Sequence, residues 1–463
     1  MPDRKDIPDW LPVIRSDTAV KYTTIVDAIA NAIETGSLSE GQRLPPHREL
    51  AGLLGVTVAT VTKAITDLNR RGLLASRRGS GTYVRGPRSI GIAVEPADGP
   101  MDLAINRPAV GPVAAALAQA LADVSTAHND VRLFGYEPVG GSPEHRRAGT
   151  IWLAERGIEV ADEQIIVTQG ANEGLLTALA AVARPGDTVL CEEVNYAGLR
   201  RIAHLLGLTL AGVAIDAKGM IPASLEEAAR RHEARAVVCT PVTHNPTGAT
   251  LDAARRRELV RVAQRAGIML IEDDINGHLG GEETETLFAL APEQTIYVTS
   301  MSKCLSAGLR VGFLAASRSM APRLRDALYA TNWTAPSLHA AIAARLITTG
   351  AARRCVADQR REASARVGLA RRHLGRRVLA EAPAYHVWIP VDRSMRAEEL
   401  CVDLLKESVI VSPAHHFAVP GGPVPNAIRI SLGSVEDRAE LETALALVAE
   451  RLIPQAMVVG AIA

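Results

Sequence analysis

The chain has 463 residues, 47% of them hydrophobic and 22% charged, with a formal net charge of zero. That length exceeds one ordinary core, and the composition excludes collagen-like, low-complexity and intrinsically disordered classes. The five cysteines, Cys191, Cys239, Cys304, Cys355 and Cys401, are scattered and form no C-x-x-C pair. They argue against a disulfide framework or a zinc centre and suit a reducing cytoplasm, so no metal site is expected.

In chain order, the opening MPDRKDIPDW contains no apolar run of the signal-peptide type. Tyr22, Ile25, Val26, Ile29 and Ile33 recur at helical spacing and predict a helix that stops at Gly36. Pro45 and Pro46 open a second short helix through Leu54, which Gly55 ends. Thr57 caps a third helix, Val58 to Arg70, closed by Gly72. Two short apolar runs, Leu73 to Ser76 and Thr82 to Val84, flank a Gly-rich turn and predict a hairpin wing. Three helices and a wing make an α+β winged helix-turn-helix, whose second motif helix enters the major groove of double-stranded DNA. Charge agrees. Between Gly41 and Arg88 stand nine basic residues against Glu49 and Asp67, so this segment carries +7 and the remainder −7.

The stretch GQRLPPHRELAGLLGVTVATV, Gly41 to Val61, together with RRGLL and GSGTYV up to Val84, closely resembles the GntR family over residues 18–86. The resemblance implies that Arg48, Thr57, Thr60 and Lys63 face DNA and that Arg78 and Gly79 sit at the wing tip. The chain departs at Val58, where many members carry Arg. Thr and Val can make apolar contact with a thymine methyl instead.

Residues 87–100 contain Pro87, Pro96, Gly99 and Pro100, lack periodicity, and are expected to be a linker. From Met101 to residue 463, β-rich apolar runs alternate with helical patterns. Runs at Gln164–Thr168, Thr188–Cys191, Ala236–Cys239, Ile268–Ile271, Thr295–Thr299 and Val311–Ala315 alternate with helices such as Glu173–Ala183 and Ala253–Ala266. This alternation predicts an α/β domain with a mostly parallel sheet, whose ligands bind at the carboxyl ends of the strands. The apolar stretch Ala456 to Ala463 is too short to span a bilayer, so no membrane is expected.

The chemistry-bearing residues follow those strands. Lys303, in Ser300-Met301-Ser302-Lys303, follows an apolar strand in a chain where Lys is scarce; a Lys near apolar walls and other cations can attack a carbonyl. Ser300, Ser302 and Arg310 beside it suit a dianionic phosphate. Thr168-Gln169-Gly170-Ala171-Asn172 runs from strand into helix and offers backbone N–H groups to an anion. Glu272-Asp273-Asp274 ends another strand, where a carboxylate can hold a pyridinium proton. Upstream, Asn245 sits in the constrained turn THNPTG.

In this order and spacing, these motifs closely resemble fold type I aminotransferases of class I/II, from about Met101 to Gly433. A small C-terminal α+β subdomain belongs to that fold. The resemblance implies pyridoxal 5′-phosphate held as a Schiff base on Lys303, with Asp273 on the pyridine nitrogen and Asn245 on the ring hydroxyl. Tyr196 would stack on the ring. Ser300, Ser302, Arg310 and the Gly170-Ala171-Asn172 backbone would hold the phosphate. Tyr136 would reach the phosphate of the other subunit, and Arg429 would grip an effector's carboxylate. Where the family has a tyrosine that donates to the ring oxygen, this chain has Asn276; Asn can still donate, but is shorter and does not ionise. His415-His416 is expected to be a loop near the substrate mouth rather than a metal pair, and Cys304 a packing residue.

A GntR-type head on an aminotransferase-like body resembles the MocR subfamily of bacterial transcription regulators, which implies a homodimer that senses the cofactor or an amino compound through it. The alternative is a working pyridoxal-phosphate aminotransferase with an appended head. The intact wing and Asn276 point to the regulator, and the full residue set around Lys303 to the enzyme.

Overall fold

The computed structural model describes residues 22–34, 37–39, 42–70, 73–77, 81–84, 100–126, 131–280, 285–379 and 383–453. Arg78, Gly79, Gly36, Gly72 and nearly all of the expected linker lie outside the described residues. Contacts divide the chain into two units, Met1–Asp98 and Gly99–Ala463, with the division inside 87–100.

The head comprises α1 (Tyr22–Glu34), α2 (His47–Leu54), α3 (Val58–Arg70) and the antiparallel pair β1 (Leu74–Arg77) and β2 (Gly81–Val84). Ile25, Val26 and Ile29, one stripe of α1, are buried against Leu50, Val61, Ile65, Leu68 and Leu74. Each such side chain contributes about 1.5–3 kcal/mol by leaving water. Gly55 closes α2 at φ +65°, its N–H reaching Ala51 O and Gly52 O, a conformation that a side chain strains. Thr57 starts α3, and its Oγ1 accepts the Thr60 N–H at 3.2 Å.

The body is built on a seven-stranded sheet. In chain order its strands are β3 (Ile165–Thr168), β4 (Thr188–Glu192), β5 (Thr209–Val213), β6 (Ala236–Cys239), β7 (Met269–Asp273), β8 (Thr295–Ser300) and β9 (Gly312–Ala315). Across the sheet they lie in the order β3-β9-β8-β7-β6-β4-β5. β9 is antiparallel to both neighbours, and the other pairings are parallel. Every residue of β3, β6 and β9 is buried, as sheets covered on both faces require. The edge strand β5, TLAGV, was not expected; Ala211 and Gly212 carry little strand propensity, and the strand is half exposed. β7 runs two residues past its expected end and β8 one, so Asp273 and Ser300 are strand-terminal residues.

Helices cover the sheet, among them α4 (Pro143–Ala154), α5 (Ala171–Val182) and α6 (Ala253–Ala266), while α7 (Ala351–Leu374) runs into the C-terminal core through Val367, Ala370 and Leu374. Asp252 caps α6, accepting the Arg255 N–H at 2.9 Å. A smaller antiparallel sheet follows, with β10 (His386–Pro390), β11 (Ser412–Pro413) and β12 (Ala427–Ser431) in the order β10-β12-β11. α8 (Arg438–Arg451) shares its core through Leu441, Leu445 and Val448. This is the expected α+β subdomain. Among the described residues, no single helix is long and apolar enough to cross a membrane.

Candidate functional site

The parallel register brings the carboxyl ends of β6, β7 and β8 side by side, and the site assembles there. Three acids end β7, and their surroundings sort them. Glu272 accepts the N–H groups of Leu287 at 3.0 Å and Phe288 at 2.8 Å. Asp274 accepts Arg156 Nε at 3.0 Å and the Tyr297 hydroxyl at 2.7 Å. Asp273, only 5% exposed, keeps an Oδ1 that has no hydrogen-bond partner. Burial first, then the neighbouring Glu192 and Asp274 charges, push its pKa up to about 7, against the pull of the Ile275 N–H and of Lys303. Glu272 and Asp274 are thus bound into the fold, although Asp274 too keeps an Oδ1 without a partner; Asp273 differs in feeling the charge of Lys303.

Lys303 follows β8. Its Nζ donates to Asn106 O, and burial, with Arg429 and Arg310 nearby, lowers its pKa to about 8. About a tenth of this amine is therefore neutral and nucleophilic at pH 7, far more than for an ordinary lysine. Ser300 is fully buried. Its Oγ lies 2.8 Å from Ser302 Oγ and 3.2 Å from Val311 O, and accepts the Ser302 N–H at 3.1 Å. It braces the turn that presents Ser302 and Lys303. Arg310, at φ +52°, donates through Nη2 to Gln169 O at 3.1 Å. A Cβ on Gly170 would come within 3.1 Å of that nitrogen, so the guanidinium rests against the start of α5. Gly170 has φ +84° and caps α5 with no side chain, leaving the Gly170-Ala171-Asn172 segment beside Arg310 at the positive end of the helix.

Arg429 lies on β12, 6% exposed. Its Nη1 donates to Asn245 Oδ1 at 2.9 Å and its Nη2 to Ala104 O, while Nε has no partner. The guanidinium lies 4.7 Å from the Phe417 ring centroid. Burial lowers its pKa to about 10, opposed by Tyr196 and Asp102. Tyr196 is 37% exposed, its hydroxyl 3.5 Å from Asn172 Oδ1; desolvation and then the Asp273 charge raise its pKa. Lys303, Asp273, Arg429, Arg310 and Tyr196 therefore feel one another's charges in a single site, with Asn245 and Asn172 joined to it by hydrogen bonds.

Asn276 donates one amide N–H to Thr243 O at 2.9 Å, which leaves the second N–H of that amide. Tyr136 is 94% exposed and packs 5.5 Å from the Trp333 ring. His415 and His416 lie just before Phe417, with His415 3.4 Å from Glu398. Cys304 is buried.

Sequence reasoning assigned no role to Glu192, His244 or the Ala104–Asn106 segment. Glu192 ends β4 fully buried, accepts Asn195 Nδ2 at 2.6 Å and Thr240 N at 2.8 Å, and lies 4.0 Å from His244. An acid at the carboxyl end of an apolar strand was its available signal. The carbonyls of Ala104 and Asn106 carry no residue-type signal at all.

In the head, Arg48 and Thr57 are exposed and Thr60 half-buried; Lys63 is exposed, with Nζ 4.1 Å from the Tyr22 ring centroid.

The fold and this cluster define an aminotransferase-type body carrying a winged helix-turn-helix head. Residues 98–448 match the family of aminotransferases of class I and II, and residues 21–84 match the bacterial regulatory proteins of the gntR family. The chain is 30% identical to the vitamin B6 salvage pathway transcriptional repressor PtsJ of Salmonella typhimurium, over 90% of this chain and 95% of that one. It is 31% identical to the pyridoxine biosynthesis transcriptional regulator PdxR of Corynebacterium glutamicum, over 64% of this chain and 65% of PdxR. The structure of the α-aminoadipate aminotransferase LysN from Thermus thermophilus superposes with a TM-score of 0.69 at 25% identity, covering 77% of this chain and 92% of LysN. The chain belongs to the class I and II aminotransferase family and bears a GntR head, which is the MocR arrangement. It is a GntR-type DNA-binding regulator joined to an aminotransferase-like domain, and the family of that domain depends on pyridoxal phosphate.

Proposed function

We propose that this regulator binds pyridoxal 5′-phosphate through Lys303 and changes its hold on DNA when the cofactor, or an amino compound meeting it, fills the site. The observation that carries the reading is Asp273, a buried carboxylate with an unpartnered oxygen in the same site as a Lys of lowered pKa. A pyridinium N–H supplies the missing donor and a phosphate suits the Arg310 and Gly170 cradle, so the residues fit the cofactor. When bound, the cofactor supplies an electron-withdrawing ring and an aldehyde that accepts amines.

The chain's own residues then have these proposed tasks. Lys303 provides the attaching amine, Asp273 holds the proton on the ring nitrogen, and Asn245 orients the ring hydroxyl. Tyr196 covers one ring face. Ser302, Arg310 and the backbone of Gly170, Ala171 and Asn172 hold the phosphate, with Ser300 bracing the turn. Arg429 offers its unpartnered Nε, already desolvated, to an effector carboxylate. Arg48, Thr57, Thr60 and Lys63 of the head face DNA, as do Arg78 and Gly79. The domains of this reading are 18–86, the linker 87–100 and 101–463.

We infer a homodimer from the exposed Tyr136 (94%) and Tyr329 (59%), both packed on Trp333, and from Phe134 (91%), close by in the chain, a surface that water alone would not favour. In a second copy Tyr136 would complete the phosphate site. The relatives PtsJ and PdxR, named for vitamin B6 pathways, support a cofactor-linked signal. Footprinting on the protein's own upstream DNA, with and without pyridoxal phosphate, tests the reading. A protected site whose affinity shifts with cofactor is expected, and absence of protection at low salt would overturn it. Full transaminase turnover over an amino-acid panel would favour the enzyme instead.

A further inference from the structure

We propose that the head reads the 5-methyl group of thymine through Val58, the first residue of α3. The inference rests on the regulator reading and adds the base that the helix recognises.

The exposed face of α3 carries Val58, Ala59, Thr62, Lys63 and Thr66; Val61, Ala64, Ile65 and Leu68 fill the opposite, buried face. The hydroxyls along and beside that outer face already have partners. Thr57 Oγ1 lies 2.8 Å from Thr60 Oγ1 and also accepts the Thr60 N–H. Thr62 Oγ1 lies 3.2 Å from His47 Nδ1, and Thr66 donates to Thr62 O at 2.7 Å. Lys63 sits over the Tyr22 ring. The first turn therefore presents methyl groups outward.

Val58 is 43% exposed, and among the described residues of the head it is the only large apolar side chain so exposed. It contributes little to the core, and valine is not favoured by helix propensity. Its χ1 is stiff in a helix, so its two methyls are pre-aimed at low entropic cost. Residues in the first turn of a recognition helix meet base edges, and thymine alone offers a methyl in the major groove. A cation at this position would seek guanine O6 and N7. Val58 makes no such bond, and its matching surface is the thymine methyl.

The test uses the full chain. Duplexes are selected from a randomised pool, and individual thymidines of the selected site are replaced by deoxyuridine, which lacks only the methyl. At one thymine position, wild-type affinity should fall about fourfold at fixed salt. The Val58→Ala chain should bind the thymidine and deoxyuridine duplexes equally, because the partner of that methyl is gone. An unchanged melting temperature shows that Val58→Ala folds. If no replacement weakens binding, or if the deoxyuridine penalty persists undiminished in Val58→Ala, the assignment to Val58 is wrong while the regulator reading stands. A chain that selects no sequence at all overturns both.

Discussion

The two candidate recognition surfaces are built on opposite physical plans. In the body, the functional groups are buried and their charges displaced from ordinary values. Asp273 is raised to about 7, Lys303 lowered to about 8 and Arg429 to about 10, and two of the three retain an unpartnered polar atom. In the head, the outer face of α3 is exposed and its hydroxyls are already bonded to neighbours. A buried site is held out of balance by the fold, so losing one member should act steeply. An exposed helix face is already satisfied in water, so its members should act in small, graded and salt-dependent steps.

The steepest effect is expected at Lys303. Lys303→Ala should abolish covalent retention of pyridoxal phosphate, read as loss of the visible absorption band after dialysis, and should remove any cofactor-dependent change in the footprint. Cofactor-free binding to DNA should persist. If the variant keeps the band, attachment lies elsewhere.

Asp273→Asn should come next, weakening cofactor affinity by about 2–4 kcal/mol, the scale of losing a buried charge-assisted bond. It also yields a pH signature. The folded pKa of Asp273 is raised above that of the unfolded chain, so its contribution to stability is complete below about pH 4. That contribution is lost as pH rises through about 7. Melting of the cofactor-free protein should therefore fall across this window by more in the wild type than in Asp273→Asn, by an amount on the order of a few kcal/mol. Parallel pH profiles would show that the carboxyl is not perturbed as described.

How far the site was legible follows the same division. Residue-type signals exposed the strands, because β3, β6 and β9 are apolar throughout. The start of α3 was legible because Thr57 is a cap, and the span of α6 because its apolar residues recur at helical spacing. The acids at 272–274 were visible as a group, but three adjacent carboxylates look alike in sequence. Only the partners Leu287, Phe288, Arg156 and Tyr297, brought in by the fold, leave Asp273 as the one facing Lys303's charge. Ala104 and Asn106 act through backbone carbonyls and were invisible for that reason. The edge strand β5 was missed because Ala211 and Gly212, at its middle, carry little strand propensity.

For the head, Arg48→Ala sharpens the contrast. Arg48 is exposed on α2. If it neutralises one phosphate, its loss should lower affinity by a few-fold equally across sequences, and should reduce the slope of log affinity against log salt by about 0.9. An unchanged slope would remove Arg48 from the phosphate contacts. A penalty confined to one base pair would make it a base reader.

Among the body variants, the smallest effect on cofactor affinity is expected where the body resembles the head in having a satisfied polar group. Asn276 is buried, and its amide donates to Thr243 O at 2.9 Å. Thr243 stands at φ +46°, a left-handed conformation that a β-branched residue adopts only under constraint, and its own N–H donates to Thr250 Oγ1 at 3.0 Å. Asn276 therefore pins the turn that presents Asn245 to Arg429. Asn276→Ala leaves a buried carbonyl without this donor, which costs about 1–3 kcal/mol. The melting temperature should drop by a few degrees, and cofactor affinity should weaken only several-fold, because Asn245 is loosened rather than removed. Asn276→Asp, similar in shape but unable to donate when ionised, should do no better than Ala. A melting temperature unchanged in both variants would mean that the turn is held by Thr250 alone, and that Asn276 is free to act on the cofactor after all.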